Sequence, residues 1–128
     1  MTAPATTGAL EQLERIIAEG TRRGWGRDAQ TGRPSNVIRC VDGFRVSVIA
    51  GAGTYCTPRP DGYGADAVDE DYGGPYTKVE VGYPSAPPEP WDTWQRFVED
   101  PANRTETVYA YVPVDVVRAL IAAHEVTR

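Results

Sequence analysis

Apolar positions recur at helical spacing near both ends of this chain and mostly at strand spacing in between. Leu10, Leu13, Ile16 and Ile17 share one face of a helix, with Glu11, Glu14, Arg15 and Arg22 around the rest. Thr7 and Gly8 can cap its start and Gly24 can stop it, so the pattern predicts a helix over 7–23 behind a loose arm, 1–6. Val116, Val117, Leu120 and Ile121 form a second stripe, opened by Pro113 at the first helical position and Asp115 in the first turn. A shorter run over 91–98 carries Trp91, Trp94 and Val98 three and four apart and predicts a short helix.

The middle of the chain reads as strands. Asp42-Gly43 between two apolar runs signals a hairpin over 37–49. A two-residue turn there opposes Val41 to Phe44, Arg39 to Val46 and Val37 to Val48. It predicts a core face of Val37, Val41, Phe44, Val46 and Val48, interrupted by Arg39, with Ile38, Cys40, Arg45, Ser47 and Ile49 on the other face. A third strand over 76–83 alternates Val79, Val81 and Tyr83 with Lys78, Glu80 and Gly82, and a fourth covers 107–112. Residues 50–75, with Pro58 and Pro60, form the longest irregular stretch, and such a loop in a compact domain is usually functional or disordered.

These elements predict an α+β fold in a single domain over 1–128, with its core in 37–124. A three- to four-stranded, mainly antiparallel sheet carries the C-terminal helix packed on one face. The additional N-terminal helix either covers the same face or mediates association.

Composition narrows the function classes. Hydrophobic residues make up 41% of the chain, which suits a globular protein. No apolar run approaches the ~20 residues that span a bilayer. The first residues carry neither a basic start nor an apolar run, so no signal peptide is predicted and the expected compartment is the bacterial host's cytoplasm. The net charge of −5 hides a division: residues 1–60 carry +3, residues 61–106 carry −8, and the remainder balances. An acidic chain is a poor general nucleic-acid binder, though its arginine-rich half can line a local anion site. Pairing of the two halves between subunits predicts a homodimer or small homo-oligomer.

Two segments look familiar. Residues 74–85, GPYTKVEVGYPS, and 107–117, TVYAYVPVDVV, resemble a family of small uncharacterised proteins of actinobacteria and their phages. The likeness covers about residues 37–124, and the N-terminal helix and the acidic part of the loop look like additions. It implies a phage-type accessory protein and transfers no activity to named residues.

Candidate chemistry is sparse. Arg39, Arg45, Arg59 and Lys78, with Tyr55 and Tyr76, come from the sheet and its long loop, and could grip a phosphate-bearing ligand by guanidinium forks and ring stacking. Trp91 and Trp94 are candidates for a partner surface, because aromatic rings concentrate at interface hot spots; the alternative is that they fill the core, as aromatic rings do in a small α+β protein. Gly51-Ala-Gly53 follows a strand, but Cys56 and the prolines after it break the dinucleotide-binding pattern. Asp66, Asp69, Glu70 and Asp71 lack the order of a calcium loop and read as a solvated acidic segment. Cys40 and Cys56 are expected as free thiols, and Cys56 with His124 is the available thiol–imidazole pair. No catalytic residue, metal site or cofactor is predicted. The leading reading is a non-enzymatic accessory protein that binds a host protein. A nucleotide-signal binder that counters host defence is the alternative, and an enzyme of unknown type ranks last.

Overall fold

A computed structural model describes residues 6–21, 36–60, 67–69 and 72–126. Helix α1 is Thr6–Glu19, followed by strands β1 (Val37–Arg39), β2 (Arg45–Ile49) and β3 (Lys78–Gly82). A single-turn helix α2 (Trp91–Trp94), strand β4 (Val108–Pro113) and helix α3 (Val114–His124) complete the chain order. The four strands form one antiparallel meander, β1-β2-β3-β4. The fold is the expected α+β arrangement.

Both long helices pack on the same face of the sheet. Leu13, Ile16 and Ile17 of α1 and Val117, Leu120 and Ile121 of α3 are buried against Ile38, Val46, Val48, Val79, Val81 and Val112. A two-pronged ion pair ties the helices at the surface: Arg118 Nε reaches Glu14 Oε2 at 2.7 Å and Arg118 Nη2 reaches Glu14 Oε1 at 2.8 Å. The N-terminal helix therefore covers the sheet. It also stops at Glu19, because Gly20 turns to φ 76 and donates its N–H to the Ile16 carbonyl at 2.7 Å. The expected continuation through Arg22 and Arg23, the stop at Gly24, and residues 1–5 of the arm lie outside the described residues.

The hairpin corrects the predicted register. Its turn has three residues, 41–43, closed by Cys40 N–H to the Phe44 carbonyl at 2.8 Å and by Gly43 N–H to the Cys40 carbonyl at 3.0 Å. Gly43 takes φ 96, the left-handed position that a three-residue hairpin requires. Asp42 Oδ1 accepts the Phe44 N–H at 2.9 Å. The extra residue pairs Ile38 with Val46 and Arg39 with Arg45. A one-residue slip exchanges the faces of β1. Ile38 and Cys40 therefore join Phe44, Val46 and Val48 in the core, Val37 turns outward, and Arg39 is exposed instead of interrupting the apolar face.

The end of α3 holds this turn in place. Glu125, 5% exposed, accepts the Val41 N–H on Oε2 at 2.6 Å. His124 Nδ1 lies 2.6 Å from Asp42 Oδ2, and its ring stacks on Phe44 at 3.9 Å. The Phe44 N–H and, second, the His124 contact hold the Asp42 carboxyl below its ordinary range.

β4 carries a bulge. Val79 pairs with Val112 but Val81 pairs with Tyr109, which leaves Ala110 and Tyr111 opposite Glu80. Tyr111 adopts φ 54. The 97–99 segment covers the free edge of β4, with Ala110 N–H donating to the Phe97 carbonyl at 2.9 Å and Glu99 N–H to the Val108 carbonyl at 3.0 Å.

Candidate functional site on the uncovered sheet face

With both long helices on one face, the other face of the sheet keeps only partial cover. Over its Lys78 end runs the 50–60 segment, where Thr57 bridges Lys78 and the Tyr55 carbonyl accepts the Tyr111 N–H at 3.1 Å. Toward the opposite end lies an open trough of about 550 Å³, lined by Asn36, Val37, Arg45, Ser47, Ile49, Glu80, Tyr83 and Val108. That volume falls in the range of small-molecule sites.

Arg39 and Arg45 stand beside this trough as a cross-strand pair. The bonds Val48 N–H to the Asn36 carbonyl, 2.9 Å, and Cys40 N–H to the Phe44 carbonyl, 2.8 Å, set the alternation of the ladder. Arg39/Arg45 and Val37/Ser47 are then non-hydrogen-bonded pairs, whose side chains approach most closely. Both arginines are exposed, and neither side chain makes a hydrogen bond or ion pair among the described residues. Ser47 Oγ accepts a hydrogen bond from Asn36 Nδ2 at 2.8 Å, so its own proton remains available to donate. Tyr83 stands on the rim at φ 50, 64% exposed, with its N–H fixed to the Thr107 carbonyl at 3.0 Å. Glu80 is the carboxylate of the trough; Oε1 accepts the Tyr55 N–H at 2.9 Å, and burial pushes its pKa upward. Glu80 pairs with Ile49, four residues along β2 from Arg45, which separates the cationic and acidic ends by about 13 Å along the strand.

The structure divides the six predicted ligand residues. Arg39 and Arg45 share the open end of this face. Lys78, exposed, lies toward the far end, opposite Pro113. Tyr55 and Arg59 form a separate cluster around the bulge: Arg59 Nη1 donates to the Tyr111 hydroxyl at 2.7 Å, and the Tyr55 and Tyr111 rings lie 5.7 Å apart. Tyr76 leaves the candidate set, because it is 3% exposed. It packs in the core, its hydroxyl donates to the Tyr72 carbonyl at 3.1 Å, and burial pushes the phenol up to about 12. Strand alternation ending at Pro84 would carry Tyr83 inward with Val79 and Val81. Its positive φ turns it out instead, so Tyr83, like Asn36, carried no signal in the sequence.

The proposed aromatic surface also changes. Trp94 is 1% exposed and sits edge-on to Tyr109 at 5.5 Å, so it offers a partner nothing. Trp91 is partly buried, with the Arg104 guanidinium 4.0 Å over its ring and Tyr109 edge-on at 6.3 Å. These rings fill the space between α2 and β4.

The thiols are free and buried. Burial, with Glu125 and Asp42 adding to it, pushes the Cys40 thiol up to about 12, away from the thiolate that a nucleophile needs. Cys56 is fully buried; its Sγ takes the Gly51 N–H at 3.4 Å and faces the Pro58 carbonyl at 3.4 Å. His124 is engaged at the hairpin turn and not with Cys56. Among the described residues no group of three or more His, Cys, Asp or Glu is placed to hold a metal ion. Asp66, Glu70 and Asp71 lie outside the described residues. No helix among the described residues is long and apolar enough to cross a membrane.

Comparison of the chain with protein-family models, with curated proteins and with solved structures finds no match.

Proposed function

We propose that this chain is a non-enzymatic binding protein that engages a protein of the bacterial host, in the host cytoplasm, through the uncovered face of its sheet. The observation that supports the reading is a trough bordered by side chains with no structural task. Arg39, Arg45 and Tyr83 project beside it, while Cys40, Cys56 and His124 are committed to the core or to the hairpin turn. Half-buried Val37, Ile49 and Val108 give the trough an apolar floor, and a polar rim around an apolar centre is the usual anatomy of a protein contact. The likeness to actinobacterial and phage proteins makes an accessory role in infection the expected setting.

Affinity capture from actinobacterial lysate tests this with three baits: the wild-type chain, Val37→Asp in the trough, and Trp91→Ala on the α2 side. A host protein retained by the wild type and by Trp91→Ala but lost with Val37→Asp supports the reading. Loss with Trp91→Ala alone would move the interface to α2. The chain is also proposed to self-associate, which light scattering on the eluted protein checks directly.

Arg39 and Arg45, whose side chains have no partner among the described residues, favour a second reading at the same face: a small, nucleotide-like ligand whose capture counters host defence.

A further inference from the structure

We infer that Arg39 and Arg45 form a clamp for a terminal phosphate, with the trough beside them taking a flat ring carried by the same small ligand. The inference rests on the reading that the uncovered sheet face is the working surface, and it names the chemistry of that surface.

Two like charges directly opposite on adjacent strands disfavour the sheet they sit on. Here they occupy a non-hydrogen-bonded pair, the closest cross-strand placement. The chain carries a surplus of carboxylates, yet none of those described pairs with either guanidinium. A phosphate dianion neutralises both at once, and each planar guanidinium can present two N–H groups to its oxygens. Ser47 lies on the same face, opposite Val37 and next to the arginine pair, with its hydroxyl proton unspent. The cationic end of the trough thus brings two guanidinium groups and a hydroxyl donor to one stretch of the sheet face.

The remainder of the trough suits a ring. Val37, Ile49 and Val108 form a half-buried apolar floor, and the exposed Tyr83 ring stands at its rim, available to stack. Glu80, the acceptor at the far end, favours a ring that carries an amino group. Phosphate at one end and an aminated ring at the other describe a nucleoside monophosphate, and the cavity is of the size such ligands occupy.

The test is a titration of the full chain, labelled with ¹⁵N, followed by amide resonances. Adenosine 5′-monophosphate, inorganic phosphate and adenosine serve as separate probes. The first should saturate, with the largest shifts at Asn36, Ser47, Glu80 and Val108. Phosphate should move the residues of the Arg39–Arg45 end at concentrations about tenfold higher or more, and adenosine should bind weakest. Losing a charge-assisted contact at either arginine should weaken the monophosphate about tenfold or more, so Arg39→Gln and Arg45→Gln each serve as variants. Both positions are exposed, so the thermal midpoint of each should match or exceed the wild type. Tyr83→Ala should weaken the monophosphate but leave inorganic phosphate unchanged. If all three phosphate-free and phosphate-bearing probes leave the spectrum unmoved, the clamp is overturned, while the host-protein reading still stands or falls on its own capture experiment. If phosphate binds a chain carrying both Arg39→Gln and Arg45→Gln as well as it binds the wild type, the result is an adventitious ion only and the clamp is equally overturned.

Discussion

The hairpin register can be tested by a pair of truncations whose order reverses between the two possible pairings. Ile38 is fully buried and Val37 half-buried toward the trough. Ile38→Ala removes three carbons from the core; at ~0.8 kcal/mol per methylene this is about 2.4 kcal/mol of transfer free energy, and the cavity left behind raises it to about 3–4 kcal/mol. For a domain of this size that corresponds to a fall in Tm of roughly 10–18 °C. Val37→Ala removes two carbons that are only partly shielded, and its backbone carbonyl still accepts Gln12 Nε2 at 3.0 Å. It should cost below about 1 kcal/mol. Urea and thermal unfolding followed by circular dichroism measure both, with an unchanged urea slope as the check that only stability has moved. A Val37→Ala loss equal to or larger than that of Ile38→Ala would restore the two-residue turn and refute the placement of Arg39 opposite Arg45 on the open face.

Other outcomes follow from packing and charge. At Gly74 a Cβ would overlap the Ala18 carbonyl of α1, so Gly74→Ala should destabilise by more than about 2 kcal/mol, whereas Gly8→Ala, with open space around it, should be neutral or stabilising; equal urea midpoints for the two would contradict the docking of α1. The Arg118 hydrogen bonds hold the Glu14 carboxyl below its ordinary value, so their contribution is present above about pH 4.5 and is lost as the pH falls through the lowered pKa. The pair is substantially exposed and worth about 0.5 kcal/mol; Glu14→Gln should flatten the acid limb of the stability curve, and an unchanged limb argues against the pair. Glu80 acts in the opposite sense: burial raises its pKa, so its charge disfavours the fold as the pH rises through that value. Glu80→Gln keeps an acceptor for the Tyr55 N–H and should unfold at an equal or higher urea concentration at pH 7. Native protein should leave Cys40 and Cys56 unlabelled by a disulfide reagent that reacts with both in denaturant, and rapid native labelling of either would contradict their burial.

The alternation of Val46 and Val48, and of Val79 and Val81, was legible in the chain because strand periodicity depends only on which side chains shun water. The apolar stripes of both helices were legible for the same reason, and so was the α+β arrangement they imply. Asp42-Gly43 announced a hairpin but not its loop length. A two-residue and a three-residue turn use the same dipeptide, and what distinguishes them here comes from 84 and 82 residues away in the chain, where Glu125 takes the Val41 N–H and His124 meets Asp42. The site followed that decision. Arg39 and Arg45 were identifiable as candidates, but only the three-residue register sets them opposite each other on the uncovered face. Tyr76 looked like a surface aromatic and Trp94 read either as a partner surface or as core; both are core, because α1 and β4 lie over them. Tyr83 looked like a core position and is exposed, because its backbone leaves the strand at positive φ. Local periodicity thus determined the elements and the apolar faces of both long helices, of β2 and of β3, since each residue carries that information itself. Register, cover and the resulting juxtaposition of charges were decided only in the folded molecule, because they depend on contacts between segments that no local pattern encodes.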